Sequence, residues 1–388
     1  MIYLDNGSTT PIAPRVKGKI VEFLDGNFGN PSSLHQLGVN AEKQIKEDRL
    51  KVAKLLKISE KNIVFTSGGS ESNNYAIKAC ASTFSQRGKH IISTKIEHAS
   101  IYNTLKEMEK EGYEVDFLSV DQYGQIDLEE LKSKVRKDTI LVSIMHVNNE
   151  MGAIQDLESI GNAIKSINER TIFHTDAVAS FGKIPIDLDK CKIDLLSASG
   201  HKVYTPKGIG ILYIKKGLNL KSLISGGAHE DGRRAGTENT LGIHALGEAC
   251  LMLSEMNLSE EIKKFNELKK NLIKNLENKL MDFKINSFVE NKEHLFSPYI
   301  LNVSFKGVKG EVLLHYLESK DIYVSTTSAC SSKGTKKENR ILEAISVPKD
   351  YIDGSIRISL SHFTTVEELD EFVKVLKEAL EMLRMFKK

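Results

Sequence analysis

The 388-residue sequence predicts an α/β fold, with a mostly parallel sheet between helices and a smaller α+β lobe after it. Three observations carry this. Between residues 63 and 214 short apolar runs alternate with amphipathic stretches of helical length. The apolar runs are continuous rather than alternating, as strands buried on both faces require. Beyond about residue 282 the regular strand-helix rhythm stops, and a looser mixture of the two follows.

In chain order, residues 2–4 read as a short strand, and Asp5-Asn6-Gly7-Ser8-Thr9-Thr10-Pro11 is a dense turn cluster. A helix is expected over 13–25, a loop at Gly29-Asn30-Pro31-Ser32-Ser33, and a long Lys- and Glu-rich helix over 36–57. Ile63-Val64-Phe65-Thr66 is a strand, Ser67-Gly68-Gly69 a tight turn, and a helix opens at Ser70-Glu71-Ser72-Asn73 and runs to 84. Strands follow at His90–Ser93, Glu114–Leu118, Thr139–His146, Thr171–Thr175, Ile193–Leu196 and Gly210–Ile214. Helices are expected between them at 98–111, 127–136 and 156–169. The pattern breaks at Ser225-Gly226-Gly227 and again over Gly232–Thr237. A long charged helical stretch over 239–281 reads as the joint between lobes. Strands at 299–305 and 355–360 and helices at 310–319 and 365–384 complete the chain, with no internal repeat.

Composition narrows the function. A net charge of +2 and a pI near 8.1 give no electrostatic reason for nucleic acid or a membrane as partner. No apolar run approaches the ~20 residues that span a bilayer. The residues from Met1 to Asn6 carry neither the basic nor the apolar part of a secretory leader. Cys80, Cys191, Cys250 and Cys330 are scattered without metal-ligand spacing, which predicts a reducing cytoplasm and no structural zinc.

Several residues point to chemistry. Lys202, in Ser199-Gly200-His201-Lys202, lies on a small-residue turn between two apolar strands, where an amine can be carried into a cleft. A desolvated lysine loses its proton readily and forms Schiff bases with carbonyls. The Ser67–Ser70 turn between strand and helix is a candidate anion site, with Ser70 either capping the helix or meeting a phosphate. Asp176, ending a strand, belongs at the sheet's carboxyl edge, where open α/β folds bind ligands; its plainer use is a turn cap. His98 and His201 follow strands and read equally as helix caps. Arg357 alternates with apolar residues in Ser355-Ile356-Arg357-Ile358-Ser359, a costly place for an arginine unless it meets a carboxylate. Cys330 lies in a small-residue loop with lysines close by, which favours the thiolate. Cys80 and Cys250 fall on apolar helix faces and read as buried hydrophobes. A phosphate site, a carboxylate for a ring nitrogen and a Schiff-base lysine together describe pyridoxal 5′-phosphate.

These residues sit in longer motifs that resemble the cysteine desulfurases of the NifS/IscS type, in the class V aminotransferase group of fold-type I pyridoxal-phosphate enzymes. The motifs run from Tyr3-Leu4-Asp5-Asn6 and Gly29-Asn30-Pro31-Ser32-Ser33 through Phe65-Thr66-Ser67-Gly68, Glu71-Ser72-Asn73-Asn74, Glu97-His98 and Met145–Gly152. They end with Ser199-Gly200-His201-Lys202, Arg234-Ala235-Gly236-Thr237, Ser328-Ala329-Cys330 and Ser355–Leu360. The resemblance implies a large domain over 13–258, built on a seven-stranded sheet, and a small domain of 1–12 with 259–388 that carries a long mobile Cys330 loop. It implies that Lys202 binds the cofactor as a Schiff base, Asp176 holds the pyridine nitrogen and His98 stacks on the ring. Gly69, Ser70, Ser199 and His201 would hold the phosphate, with Thr237 reaching in from the partner of a homodimer. Asn149 would lie near the cofactor's phenolic oxygen and the substrate carboxylate, which Arg357 would grip. Cys330 would take sulfur from L-cysteine as a persulfide, release L-alanine, and pass the sulfur to an acceptor in iron–sulfur cluster assembly or tRNA thiolation.

The chain departs from the family pattern at Ala179, where members carry a glutamine that donates to the cofactor, and at Gly7-Ser8, where they carry Ala-Ala. Other pyridoxal-phosphate activities of the same fold, such as a selenocysteine or cysteine lyase or an aminotransferase, are the alternative, with Cys330 the discriminating residue. A non-catalytic homologue is opposed by the joint presence of Lys202, Asp176, His98, Cys330 and Arg357.

Overall fold

The computed structural model describes residues 1–326 and 339–385; Thr327 and Cys330 lie outside the described residues. The chain opens with β1 (Ile2–Tyr3), α1 (Pro14–Leu24) and α2 (Gln36–Leu56). Alternation then begins: β2 (Ile63–Thr66), α3 (Gly69–Phe84), β3 (His90–Thr94), α4 (Ala99–Lys110), β4 (Glu114–Leu118), α5 (Leu128–Lys134), β5 (Thr139–Ser143), α6 (Leu157–Ile167), β6 (Ile172–Asp176), β7 (Leu195–Ser199) and β8 (Gly210–Ile214). These strands form one seven-stranded sheet in the order β2-β8-β7-β6-β5-β3-β4. Only β8 runs against its neighbours, pairing antiparallel with both β2 and β7.

The continuous apolar runs are explained by the two faces. Along the strands, Ile91, Leu141, Ile172 and Leu195 enter one core with Tyr75 and Ile77 of α3 and Ile101 and Leu105 of α4. Their neighbours Ile92, Val142, Phe173 and Leu196 enter the other, with Val16, Val52, Ile160 and Ile164 of α1, α2 and α6. Side chains of successive strand residues point oppositely, so both must be apolar when helices cover both faces.

The expected helix over 239–281 is two helices, α7 (Thr240–Ser254) and α8 (Leu258–Lys279). Asn257 caps α8, its side chain accepting from the Glu260 amide, so one helix stops and another starts. α7 is buried rather than charged, and Ile243, Leu246 and Cys250 join the core shared with α1 and α2. Only α8 has the charged outer face expected of a joint. Its Phe265, Leu272 and Leu276 enter a separate core.

That second core belongs to a four-stranded antiparallel sheet. After β9 (Phe283–Ile285), β10 (Ile300–Phe305), α9 (Gly310–Glu318), β11 (Ile322–Tyr323) and β12 (Ser325–Thr326) come α10 (Arg340–Ala344), α11 (Lys349–Ile352), β13 (Ser355–Ser359) and α12 (Val366–Met385). The strand order is β12-β13-β10-β9, backed by α8, α9 and α12. The N-terminus returns to it: β1 pairs in parallel with β11, and Leu4 is fully buried in the same core. The loop after Leu4 is thereby held where the two cores meet. Among the described residues no helix is long and apolar enough to cross a membrane.

Candidate active site

At the carboxyl ends of the sheet strands lies a cavity of about 260 Å³, lined by Gly7, Ser8, Gly69, Ser70, Asn73, His98, Ser100, Met145, Val147, Asn149, Asp176, Val178, Ala179, Ser199, His201, Lys202 and Arg357. The candidate site residues therefore converge, except for two. Cys330 is outside the described residues. Thr237 is exposed and lines a different depression, with Thr66, Ser67, Gly208 and Arg234.

Lys202 closes a single helical turn, Gly200–Lys202, directly after β7. Gly200 has no room for a side chain, because a Cβ there would collide with Thr205 Oγ1 and Ile209 Cγ2. The Lys202 amine donates to the carbonyls of Gly7 at 2.5 Å and Ser8 at 2.7 Å. The N-terminal loop is in turn tied to this turn, with the Thr10 amide donating to His201 O at 2.9 Å.

Asp176 ends β6 and is buried. One carboxylate oxygen accepts from the Val178 amide at 2.8 Å, as in the turn-cap reading. The other accepts from Asn73 Nδ2 at 2.7 Å. Asn73 Nδ2 also donates to Ser100 Oγ at 2.9 Å, and Ser100 Oγ lies 2.8 Å from His98 Nδ1. His98 Nδ1 accepts from the Ser100 amide and caps α4, which leaves the ring proton on Nε2. Burial pushes the His98 pKa down, with the Asp176 charge opposing it and Lys202 assisting. Helix cap and cavity wall are one residue here.

The turn expected to hold an anion is the glycine turn before α3. Gly68 is the N-cap at φ +154°, a conformation reserved for glycine, and no side chain caps this helix. Ser70 is thus not the cap; it stands exposed on the cavity wall one residue into the helix. A Cβ at Gly69 would lie 2.6 Å from Val178 Cγ2. Ser199 and His201 stand opposite. Burial and the charge of Lys202 push His201 down to about 4, so its imidazole is neutral at physiological pH.

Arg357 projects from β13 with its side chain 7% exposed. Its Nη1 donates to Asn149 O at 2.9 Å, and its Nη2 donates to Asp5 Oδ1 at 2.8 Å and Ser8 Oγ at 2.6 Å. Three buried polar atoms of the lining have no partner: Arg357 Nε, Asn149 Oδ1 and Asn73 Oδ1. Behind the wall, Glu97 is fully buried, with one oxygen accepting from Thr94 Oγ1 at 2.8 Å and Met145 N at 3.0 Å and the other unpartnered. Burial pushes its carboxyl up to about 8.

Sequence reasoning gave no role to Asn73, Ser100, Val178, Asp5 or Ser8, although Asp5 and Asn73 lie in the family motifs and Ser8 departs from them. Asn73 could have been found, since it lies one helical turn after Gly69 and so shares its face. Two larger depressions, of about 1090 Å³ between α8 and α12 and about 620 Å³ beside α2, have charged linings and contain none of Lys202, Asp176, His98 and Arg357.

The sheet, the lysine beyond β7 and the buried carboxylate at the end of β6 define a fold-type I pyridoxal-phosphate enzyme. The particular group follows from comparison: the aminotransferase class-V family model matches residues 2–372, and the chain belongs to that family. It is 42% identical over 383 residues to the cysteine desulfurase IscS of Dictyoglomus turgidum, covering 99% of this chain and 95% of that protein. It is 44% identical over 391 residues to the cysteine desulfurase IscS of Proteus mirabilis, covering 99% and 93%. Among solved structures, a NifS-like protein matches with a TM-score of 0.91 at 38% identity, covering 98% of this chain and 99% of that one. SspA in complex with cysteine matches with a TM-score of 0.80 at 33% identity, covering 94% and 100%.

Proposed function

We propose that this protein is a pyridoxal-phosphate-dependent L-cysteine desulfurase, converting L-cysteine to L-alanine and leaving the sulfur as a persulfide on Cys330. The observation that carries the reading is the convergence of Lys202, Asp176, His98 and Arg357 on one cavity. The relatives, two named cysteine desulfurases and one solved with cysteine, support cysteine as the substrate.

The cavity fits the cofactor. The uncapped α3 terminus with Gly69, Ser70, Ser199 and His201 offers amide, hydroxyl and imidazole groups for a phosphate. Asp176 offers a carboxylate to a pyridinium nitrogen, and Asn149 Oδ1 is a buried acceptor awaiting a donor. When bound, the cofactor supplies an electron sink for charge developing at the substrate Cα.

Within this reading the protein's groups act as follows. Asp176, held by Asn73 Nδ2 and the Val178 amide, would accept from the ring nitrogen. His98, with Nδ1 fixed by Ser100, presents a neutral ring face. Lys202 Nζ accepts the proton from the substrate Cα. Arg357 and Asn149 hold the substrate carboxylate. The Cys330 thiolate attacks the substrate sulfur: the S–S bond forms, the Cβ–S bond breaks, and a proton replaces sulfur at Cβ to give alanine.

The finer reading includes a homodimer. Phe28, Leu34, Leu24, Val21 and Leu50, exposed by 50 to 100% and grouped in the first 50 residues, support a covered face there. Thr237, exposed and outside its own chain's cavity, is free to serve the partner's. The division into a large lobe over 13–258 and a small lobe of 1–12 with 259–388 belongs to the same reading, supported by Leu4 in the second core. A cytoplasmic site is supported by the unpaired thiols Cys80, Cys191 and Cys250. The acceptor of the sulfur is an iron–sulfur scaffold or a tRNA-thiolation protein.

Intact mass after brief exposure to L-cysteine tests the reading. Added sulfur mapped to Cys330 with alanine released supports it, and Cys330→Ala loses at least about a hundredfold in turnover. Alanine release undiminished in Cys330→Ala sinks it.

A further inference from the structure

Arg357 is held before any ligand arrives, and the manner of holding is specific. A guanidinium has five N–H donors. Three are engaged: one on Nη1 by Asn149 O, and both on Nη2 by Asp5 Oδ1 and Ser8 Oγ. Ser8 Oγ also donates to Asp5 Oδ1 at 2.8 Å, which closes a triangle of hydroxyl, carboxylate and guanidinium. The loop lies so tightly against the arginine that a Cβ at Gly7 would stand 3.0 Å from Arg357 Cζ and 2.5 Å from Ser359 Oγ. Nε, buried without a partner, and the second N–H of Nη1 are the donors left over.

Ser8 has a second contact. Its carbonyl, with that of Gly7, accepts from the Lys202 amine. One residue therefore touches the amine that meets the substrate's amino end and the guanidinium that meets its carboxylate. An α-amino acid carries both groups on one carbon, so the separation of these two anchors is itself a specificity element.

We infer that Ser8, with Asp5, is a positioning residue that sets Arg357 at the distance from Lys202 demanded by an α-amino acid carboxylate. This rests on the reading that Arg357 receives that carboxylate. An arginine side chain has many rotamers, and fixing one beforehand removes that ordering cost from ligand binding. The hydroxyl suits the task because it accepts from Nη2 while donating to Asp5.

The test titrates the cofactor-loaded protein with L-alanine and with ethylamine, the same amine without a carboxylate, following the cofactor's absorbance. Wild type should bind L-alanine the more tightly. Ser8→Ala should weaken L-alanine about five- to tenfold and leave ethylamine within about twofold, and Ser8→Thr should restore wild-type affinity. The KM for L-cysteine should rise in parallel while kcat holds. A wild type that does not prefer L-alanine overturns the Arg357 reading and this inference with it. A wild-type preference that survives unchanged in Ser8→Ala overturns this inference alone. Equal weakening of both ligands, or lost cofactor absorbance, assigns Ser8 a merely structural role and overturns it too.

Discussion

Glu97 shows how one buried group makes stability depend on pH. Its carboxyl, at 4.5 in the unfolded chain, is pushed up to about 8 by burial. Between those values the folded protein keeps a proton that the unfolded chain gives up, so the native state loses stability as pH rises through that window. Glu97→Gln preserves the acceptor for Thr94 and Met145 and removes the titration. Denaturation midpoints measured from pH 5 to 8 should therefore show the variant gaining on wild type, by about 3–4 kcal/mol across that range; a constant difference would refute this. Ala179, on the cavity wall, offers no donor. Ala179→Gln introduces one and should lower the pKa of the cofactor–lysine linkage at Lys202, seen by absorbance titration; superimposable curves would refute it. At this scale the sequence was informative where a residue type is costly without a purpose, as with Arg357 inside a strand. It marked Ser8 as a departure from the family but gave it no role, since a serine in a turn cluster has many uses and only the distance to Arg357 picks one.

Among elements, the turn into α3 depends on its neighbour β8. A Cβ at Gly210, the first residue of β8, would stand 2.6 Å from Gly68 Cα and 2.7 Å from Ala198 O. Both are backbone atoms that cannot rotate away. Gly210→Ala should displace the glycine turn, destabilise the protein by about 1–3 kcal/mol and speed cofactor loss on dialysis, as read from the retained absorbance. A variant that keeps wild-type stability and cofactor would show that the turn tolerates the shift. Strand positions were readable because two-sided burial forces continuous apolar runs, and β3, β4 and β8 begin at His90, Glu114 and Gly210 as expected. The boundary between α7 and α8 was not. The residues Glu255-Met256-Asn257 interrupt the helix through one cap, and the burial of α7 comes from α1 and α2, far away in sequence.

For the whole molecule, the exposed apolar residues of the first 50 positions give the testable statement. Phe28 is 80% exposed and Leu34 98%. Wild type should sediment at twice the 43.3 kDa chain mass, and Phe28→Glu combined with Leu34→Glu should shift it toward the monomer. An unchanged mass in the double variant would place the contact elsewhere.

The sequence by itself determined the layered α/β architecture, because the period of its apolar residues states which faces are covered. It also determined the chemistry available, because Lys202, Asp176, His98 and Arg357 are reactive or costly residues at turns and strand ends. Only the tertiary structure decided how those groups meet. Residues 5–8, 69–73, 98–100, 176–179, 199–202 and 357 are joined by contacts up to 352 positions apart, as between Asp5 and Arg357. Local propensity has no reach over such separations. The return of β1 to the second core, which brings Ser8 between Lys202 and Arg357, follows from pairing and burial that exist only once both lobes have formed.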